Sequence, residues 1–391
     1  MQSFADFIAP FDPAEFRRNY FGRKPCHVRR GAAFRNPLTW QRFNEVLGIG
    51  PYWNEDTLKV YYKSRSALRE NYCDVTDLAA GAKAPADPRK VKALLGLGAS
   101  IVANHIHKVC PEVAAVTQML EREFAARAGA NVYCSFRQVQ AFSTHYDLHD
   151  VFVLQTEGEK LWRVYSARAD NPVQPVPPGD EAEKWLIATR GETLFEVTMQ
   201  PGDILYLPRG QYHDAITGAQ ASLHATCFVE PPTGLALFKL LTTAATGDSG
   251  FRAYLPDARD EQALTDHLAR LSRYLHTLMN SPAFLVDVMN LQRGLATSPA
   301  DYRLPQQERP RFYSPTTRVD VIRRLDGCYA VVGGSEVRLG PSYPAVSWLL
   351  QQRTFSLNDV IARHPFVDER ELEAVLQQLI AMGALVETEM R

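Results

Sequence analysis

His145 and Asp147 stand two residues apart in THYDLHDVFVLQTEGEKLWRVY, Thr144–Tyr165, just ahead of the apolar run VFVLQ. In an extended chain, residues i and i+2 point to the same side, so the imidazole and the carboxylate converge on one point while Tyr146 and Leu148 face away. That spacing supplies two ligands of a metal site. The pair alone is a weak signal, because a chain with ten histidines meets His-x-Asp by chance. A third ligand is offered by His213 in PGDILYLPRGQYHDAI, where ILYL ends in a Pro-Arg-Gly turn and a new strand starts at the histidine. Two histidines and one carboxylate with open positions opposite suit non-haem Fe(II) and oxygen chemistry. Zinc adopts the same set, so ligand type does not name the metal. On its own Lys160 reads as a solvated hairpin residue.

The elements that must hold these residues are strands. From Asn131 to Glu230, NVYCSF, DVFVLQ, KLWRVY, LFEVTM, DILYLP and LHATCFVE are short, rich in Val, Tyr, Phe and Leu, and punctuated by EG, PPGD, PGD and PRG. Six strands so spaced predict a small barrel or jelly roll. Residues 1 to about 130 mix short helical and strand patterns, with a linker expected at AAGAKAPADPRK. After Pro231 and Pro232 the period becomes helical, in GLALFKLLTTAA and then EQALTDHLARLSRYLHTLMNSPAFLVDVMNLQ. The last part reads as strands VDVIRRL, CYAVVGG and EVRLG, three helices, and a closing ALVE. Asp368 caps the last helix, whose Leu372, Val375, Leu376, Leu379 and Ile380 share a face, and Gly383 stops it. Three helices and a hairpin outline a winged helix. Its candidate recognition helix opens with Asp368, Glu369, Glu371 and Glu373, which phosphates repel, so no direct nucleic-acid partner is expected.

Composition bounds the rest. A chain of 391 residues, 46% hydrophobic and 22% charged, folds as two or three globular units. A net charge of -1 gives no general pull toward polyphosphate, although FRRNYFGRKPCHVRR is locally basic. The six cysteines contain no CxxC and read as buried thiols. No apolar run approaches the roughly 20 residues of a spanning helix, and the first residues lack the order of a secretion signal, so no membrane partner and a cytoplasmic location are expected.

HYDLHDVFVLQTEGEKLWRVY followed by PGDILYLPRGQYH resembles the JmjC-type ribosomal oxygenases, cupin-like Fe(II)- and 2-oxoglutarate-dependent hydroxylases of ribosomal proteins. FRRNYFGRKPCHVRRG, GANVY, the helical region and the final unit follow in the family's order. The resemblance implies an α+β fold: a double-stranded β-helix barrel with an N-terminal α/β extension (1–234), a helical dimerisation region (235–305) and a winged helix (306–391). It implies that His145, Asp147 and His213 bind iron and that Lys160 pairs with the distal carboxylate of 2-oxoglutarate. Asn131 and Tyr133 then line the same pocket, with His224 and Thr226 facing it from a later strand. The implied reaction uses O2 to hydroxylate a histidine or arginine side chain of a polypeptide such as a ribosomal protein, in a homodimer. A small-molecule or short-peptide oxygenase, and a metal-binding module without turnover, are the competing readings. Thr144 departs from the family, where a proline is frequent before the first histidine, and so does LHDV.

Overall fold

The computed structural model describes residues 3–29, 36–62, 65–76, 81–135, 143–176, 179–217, 221–295 and 311–388. The chain divides into two compact units, residues 1–230 and 231–391. The strands of the first are β1 (Cys26–Val28), β2 (Leu58–Tyr62), β3 (Arg65–Ser66), β4 (Ser100–Ala103), β5 (Arg127–Ser135), β6 (Asp150–Glu157), β7 (Lys160–Arg168), β8 (Thr193–Met199), β9 (Ile204–Leu207), β10 (Gln211–Thr217) and β11 (Ser222–Glu230). They form an eight-stranded sheet in the order β1-β9-β6-β11-β5-β4-β2-β3 and a three-stranded sheet β10-β7-β8.

The run VFVLQ has no polar alternation because β6 is central and buried on both faces. Val151 and Val153 face the smaller sheet and pack with Trp162, Val164, Met199, Leu205 and Leu207. Phe152 and Leu154 point the other way into the main core. There the Phe152 ring meets Phe4, Phe7, Phe16 and Tyr206. Phe4–Ile8 and Pro13–Asn19 are helical because Ser3 with Asp6, and Asp12 ahead of Pro13, satisfy their free N–H groups. Their aromatic residues cover the outer face of the large sheet.

Two turns set the register of the site. Gly158 turns β6 into β7 at φ +62, and a Cβ there would collide with the Ala221 carbonyl. Gly210 ends the Pro-Arg-Gly turn at φ +82, where a Cβ would collide with the carbonyl of Ala169. Only glycine fits both the backbone angle and the space.

Each of the six strand segments read from the sequence coincides with a strand over its described residues, with Asp203 and Pro208 just outside β9, and two features differ from expectation. The N-terminal strands β1 to β4 pair into the large sheet through β9 and β5. The expected linker is packed over its described part. Ala84 is buried, Pro85 bridges Asn54, and Asp87 caps the helix Pro88–Gly96. Between β7 and β8 stands a helix, Asp180–Thr189, where only turns were expected.

The second unit begins with helices Leu237–Ala245, Glu261–Met279 and Pro282–Arg293. The long apolar period breaks at Ser281, which caps the helix that Pro282 opens. The strands β12 (Phe312–Pro315), β13 (Asp320–Arg324), β14 (Gly327–Val332), β15 (Ser335–Arg338), β16 (Phe355–Ser356) and β17 (Leu385–Thr388) form the sheets β13-β14-β15 and β16-β12-β17. Helices Tyr343–Leu349, Leu357–Arg363 and Glu369–Ala381 pack on them. Asp368 accepts from the Glu371 N–H at 3.0 Å, and Leu372, Val375, Leu376 and Leu379 are buried as their spacing requires. Buried Asp287 takes the Tyr343 hydroxyl at 2.7 Å and pairs with Arg323, which ties the helical part to β13.

Candidate active site

Between the two sheets lies a cavity of about 260 Å³. Alternate residues of each strand line it, as the period of two demands: Asn131 and Tyr133 from β5, Val151 and Val153 from β6, Lys160 and Trp162 from β7, His213 and Ala215 from β10, and His224, Thr226 and Phe228 from β11. His145, Asp147 and His149 complete the wall. Every site residue read from the sequence is therefore in one cavity.

His145 and Asp147 are not on a strand. They lie in the segment leading into β6, which is held by an isolated bridge: the His145 N–H donates to the His213 carbonyl at 3.0 Å and the His213 N–H to that of His145 at 2.9 Å. The Gly210 N–H donates to the Asp147 carbonyl at 2.9 Å. One ligand-type atom each from His145, Asp147 and His213 then falls within 4.8 Å of the other two. His213 Nε2 is 3.6 Å from Asp147 Oδ2.

β10 carries a bulge between Gln211 and His213 against β7, a device that re-aims the following side chain. Carbonyls of β7 are left to the Gln211 amide, which donates to those of Tyr165 at 2.6 Å and Ala167 at 3.0 Å. His145 Nδ1 lies 2.9 Å from the Ser143 carbonyl and His213 Nδ1 2.9 Å from that of Gln211. Both contacts fix the proton on Nδ1 and leave the Nε2 lone pairs facing the cluster. Burial, helped by His145, pushes His213 down to about 4 against the pull of Asp147. Burial would raise Asp147, but His213, His145 and His149 hold its carboxyl below the ordinary value. His213 is thus a neutral imidazole beside an ionised carboxylate.

Lys160 lines the cavity and is not the solvated residue its hairpin location suggested. It is 3% exposed, and among the described residues no carboxylate pairs with it. Burial pulls its ammonium down to about 8, with Cys134 acting in the opposite sense. His224 is stacked on Tyr133 at 5.0 Å and edge-on to Trp162 at 5.5 Å. Burial, with the charge of Lys160, holds it neutral. A buried cation that lacks a counter-charge fits an anionic ligand. The donor set beside it fits a divalent first-row metal. Together they suit a metal chelated by a dicarboxylate.

His149, Trp162, Val151, Val153, Ala215 and Phe228 also line the cavity and were not singled out. On β6 the alternation of Val151 and Val153 with Phe152 and Leu154 was the signal available.

Residues 104–237 match the JmjC domain family. The chain is 30% identical over 225 residues to the bifunctional lysine-specific demethylase and histidyl-hydroxylase NO66 of Dictyostelium discoideum, covering 57% of this chain and 41% of that protein. It is 31% identical over 229 residues to ribosomal oxygenase 1 of Gallus gallus, covering 56% of this chain and 35% of that one. Residues 104–237 thus carry the JmjC-domain similarity, and the chain is similar to these ribosomal oxygenases. It spans less than half the length of these relatives. The solved structure of the Escherichia coli ribosomal oxygenase YcfD overlays 97% of this chain and 98% of that one at 16% identity, with a TM-score of 0.48. Among the described residues no helix is long and apolar enough to cross a membrane.

Proposed function

We propose that the chain is an Fe(II)- and 2-oxoglutarate-dependent oxygenase that hydroxylates a histidine or arginine side chain of a polypeptide, with a ribosomal protein as first candidate. The observation that carries this is Lys160, a buried ammonium facing the same cavity as His145, Asp147 and His213. A metal site without a cosubstrate has no need of that charge.

Charge closes over this set. Asp147 offers one negative charge to a divalent iron, Lys160 adds one positive charge, and the two carboxylates of 2-oxoglutarate neutralise what remains, so nothing charged is buried unpaired. The bound iron and 2-oxoglutarate supply oxidation of a C–H bond by O2, with succinate and carbon dioxide as co-products. The chain's residues prepare the site. His145 and His213 present fixed Nε2 lone pairs, Asp147 stays ionised, and Lys160 orients the distal carboxylate. Asn131, Tyr133 and Thr226 line the same cavity and would bed the cosubstrate. Val151, Val153 and Trp162 wall the site against water, which strengthens each of these electrostatic contacts.

The second unit assists rather than reacts. The helical region, over its described residues 235–295, leaves Phe238, Leu268 and Leu285 more than half exposed, and a second copy covering them would make the homodimer. We read the described residues 311–388 as a winged helix whose acidic helix start disfavours DNA. The protein works in the cytoplasm on a polypeptide, and the full chain binds duplex DNA no better than a neutral protein at physiological salt. The deciding experiment incubates the protein with Fe(II), 2-oxoglutarate and isolated ribosomal proteins. Intact-mass spectrometry is expected to show one protein gaining a single oxygen atom; consumption of 2-oxoglutarate with no such gain redirects the search to small molecules.

A further inference from the structure

The four residues that flank the two ligand histidines all point away from the cavity, and all four are engaged. Thr144, before His145, donates its hydroxyl to Asp214 Oδ2, after His213, at 2.9 Å. Tyr146, after His145, meets Tyr212, before His213, edge to face at 5.2 Å. The same carboxylate oxygen of Asp214 takes the Tyr165 hydroxyl at 2.6 Å.

Both pairs are gripped from one place, the end of the helix Asp180–Thr189. The Arg190 guanidinium donates to Thr144 Oγ1 at 2.8 Å, lies 3.8 Å from Asp214 Oδ2 and covers the Tyr165 ring at 4.3 Å. Thr189 Oγ1 and the Tyr212 hydroxyl are 3.0 Å apart. Thr144 and Asp214 are 4% and 3% exposed, so these bonds form in a dry setting where each counts for more.

The backbone ties on the segment 143–149 are few. It is not part of a strand, and beyond the bridge between His145 and His213 only the bond from the Gly210 N–H to the Asp147 carbonyl, among the described residues, resists a rotation about that bridge. Such a rotation would swing both His145 Nε2 and the Asp147 carboxylate away from His213. The side-chain links on the far face oppose it.

We propose that Thr144, Asp214 and Arg190 are positioning residues, a brace that sets the angle at which His145, Asp147 and His213 converge. The proposal deepens the metal-site reading and rests on it. Thr144 is where the chain departs from the family it resembles, and a proline there could supply no hydroxyl. The inserted helix, which the strand pattern of the sequence did not foretell, acquires a role through Arg190.

The test uses the full-length metal-free protein titrated with Co(II), followed by visible absorption and calorimetry, with apo melting temperatures measured in parallel. Wild-type protein binding one Co(II), and His213→Ala failing to, establishes the metal site itself; equal behaviour of the two would sink that reading first. Given the site, Thr144→Val and Arg190→Met are expected to weaken Co(II) about 10- to 100-fold and to shift its visible bands, whereas Thr144→Ser keeps affinity and spectrum. A cluster that only stabilises the fold would lower the melting temperature and leave the Co(II) spectrum alone. Wild-type Co(II) affinity and bands in both Thr144→Val and Arg190→Met, or a loss in Thr144→Ser as large as in Thr144→Val, overturns the brace.

Discussion

At one side of the cavity His145 and His213 each fix their Nδ1 proton on a carbonyl two residues back, and Asp147 lies among imidazoles that favour its charge. At the other, Lys160 is held on a regular strand with no counter-ion among the described residues. The first cluster has its second partners already in place within the fold. The second is incomplete, and burial disfavours its charged form. The chain thus keeps a preformed ligand cluster and a destabilised cation in one chamber, the pattern expected where binding energy from a ligand offsets a cost built into the apo fold.

The largest effect should come from breaking the preformed end. His213→Ala removes one ligand and should abolish metal binding and 2-oxoglutarate turnover while leaving the circular dichroism spectrum unchanged. Full activity in that variant would move the third ligand to His224, the other buried histidine of the cavity.

Breaking the incomplete end should separate cosubstrate from metal. Lys160→Met keeps the aliphatic stem and deletes the charge, a loss of about 2 to 5 kcal/mol for a buried pair. The apparent affinity for 2-oxoglutarate should fall at least tenfold with Co(II) affinity intact. An unchanged dependence on 2-oxoglutarate would return Lys160 to a bystander role.

The comparison sharpens with pH. Lys160 titrates near 8 in the fold and near 10.4 when unfolded, so between these values the unfolded chain binds more protons. Stability therefore rises with pH across that window, and the cost of the buried cation, on the order of 3 kcal/mol, is fully felt below about pH 8. The metal-free wild type should gain on Lys160→Met in melting temperature as pH climbs from 8 to 10, and Lys160→Met should be the more stable of the two at pH 7. Parallel pH profiles would show that the ammonium is not strained.

The smallest effect is expected at His149. It lines the cavity, yet it lies outside the cluster formed by His145, Asp147 and His213. His149→Ala should lower turnover by less than about tenfold, in keeping with a neighbour that shapes the wall; complete loss would make it a ligand in place of one of the three.

The strands around the site were legible because β6 and β7 are local: VFVLQ, the turn at Gly158 and KLWRVY specify a hairpin within one stretch of chain. The ligand residues were legible through the same stretch and through PGD and PRG before His213. The burial of Lys160 was not, because a lysine just after a turn looks solvated until β11 closes over it. Nor was the pairing of β4 with β5 and of β1 with β9, which joins residues far apart in sequence. The helix Asp180–Thr189 escaped because it has no buried residue and so no apolar stripe to betray a helical period. The bulge at Gln211 leaves no mark in composition at all, yet it aims His213.

Trp162 packs its indole against the His213 ring, with centroids 5.9 Å apart and planes within 29° of parallel. An excited indole that close to an open-shell metal ion on that histidine loses its energy to the metal. The chain has five tryptophans, and this one gives the protein an optical reporter of its own: emission should dim as Co(II) is added and recover with a chelator, and Trp162→Phe should remove that part of the response. Metal occupancy could then be followed in unlabelled protein, in real time, before any substrate is known.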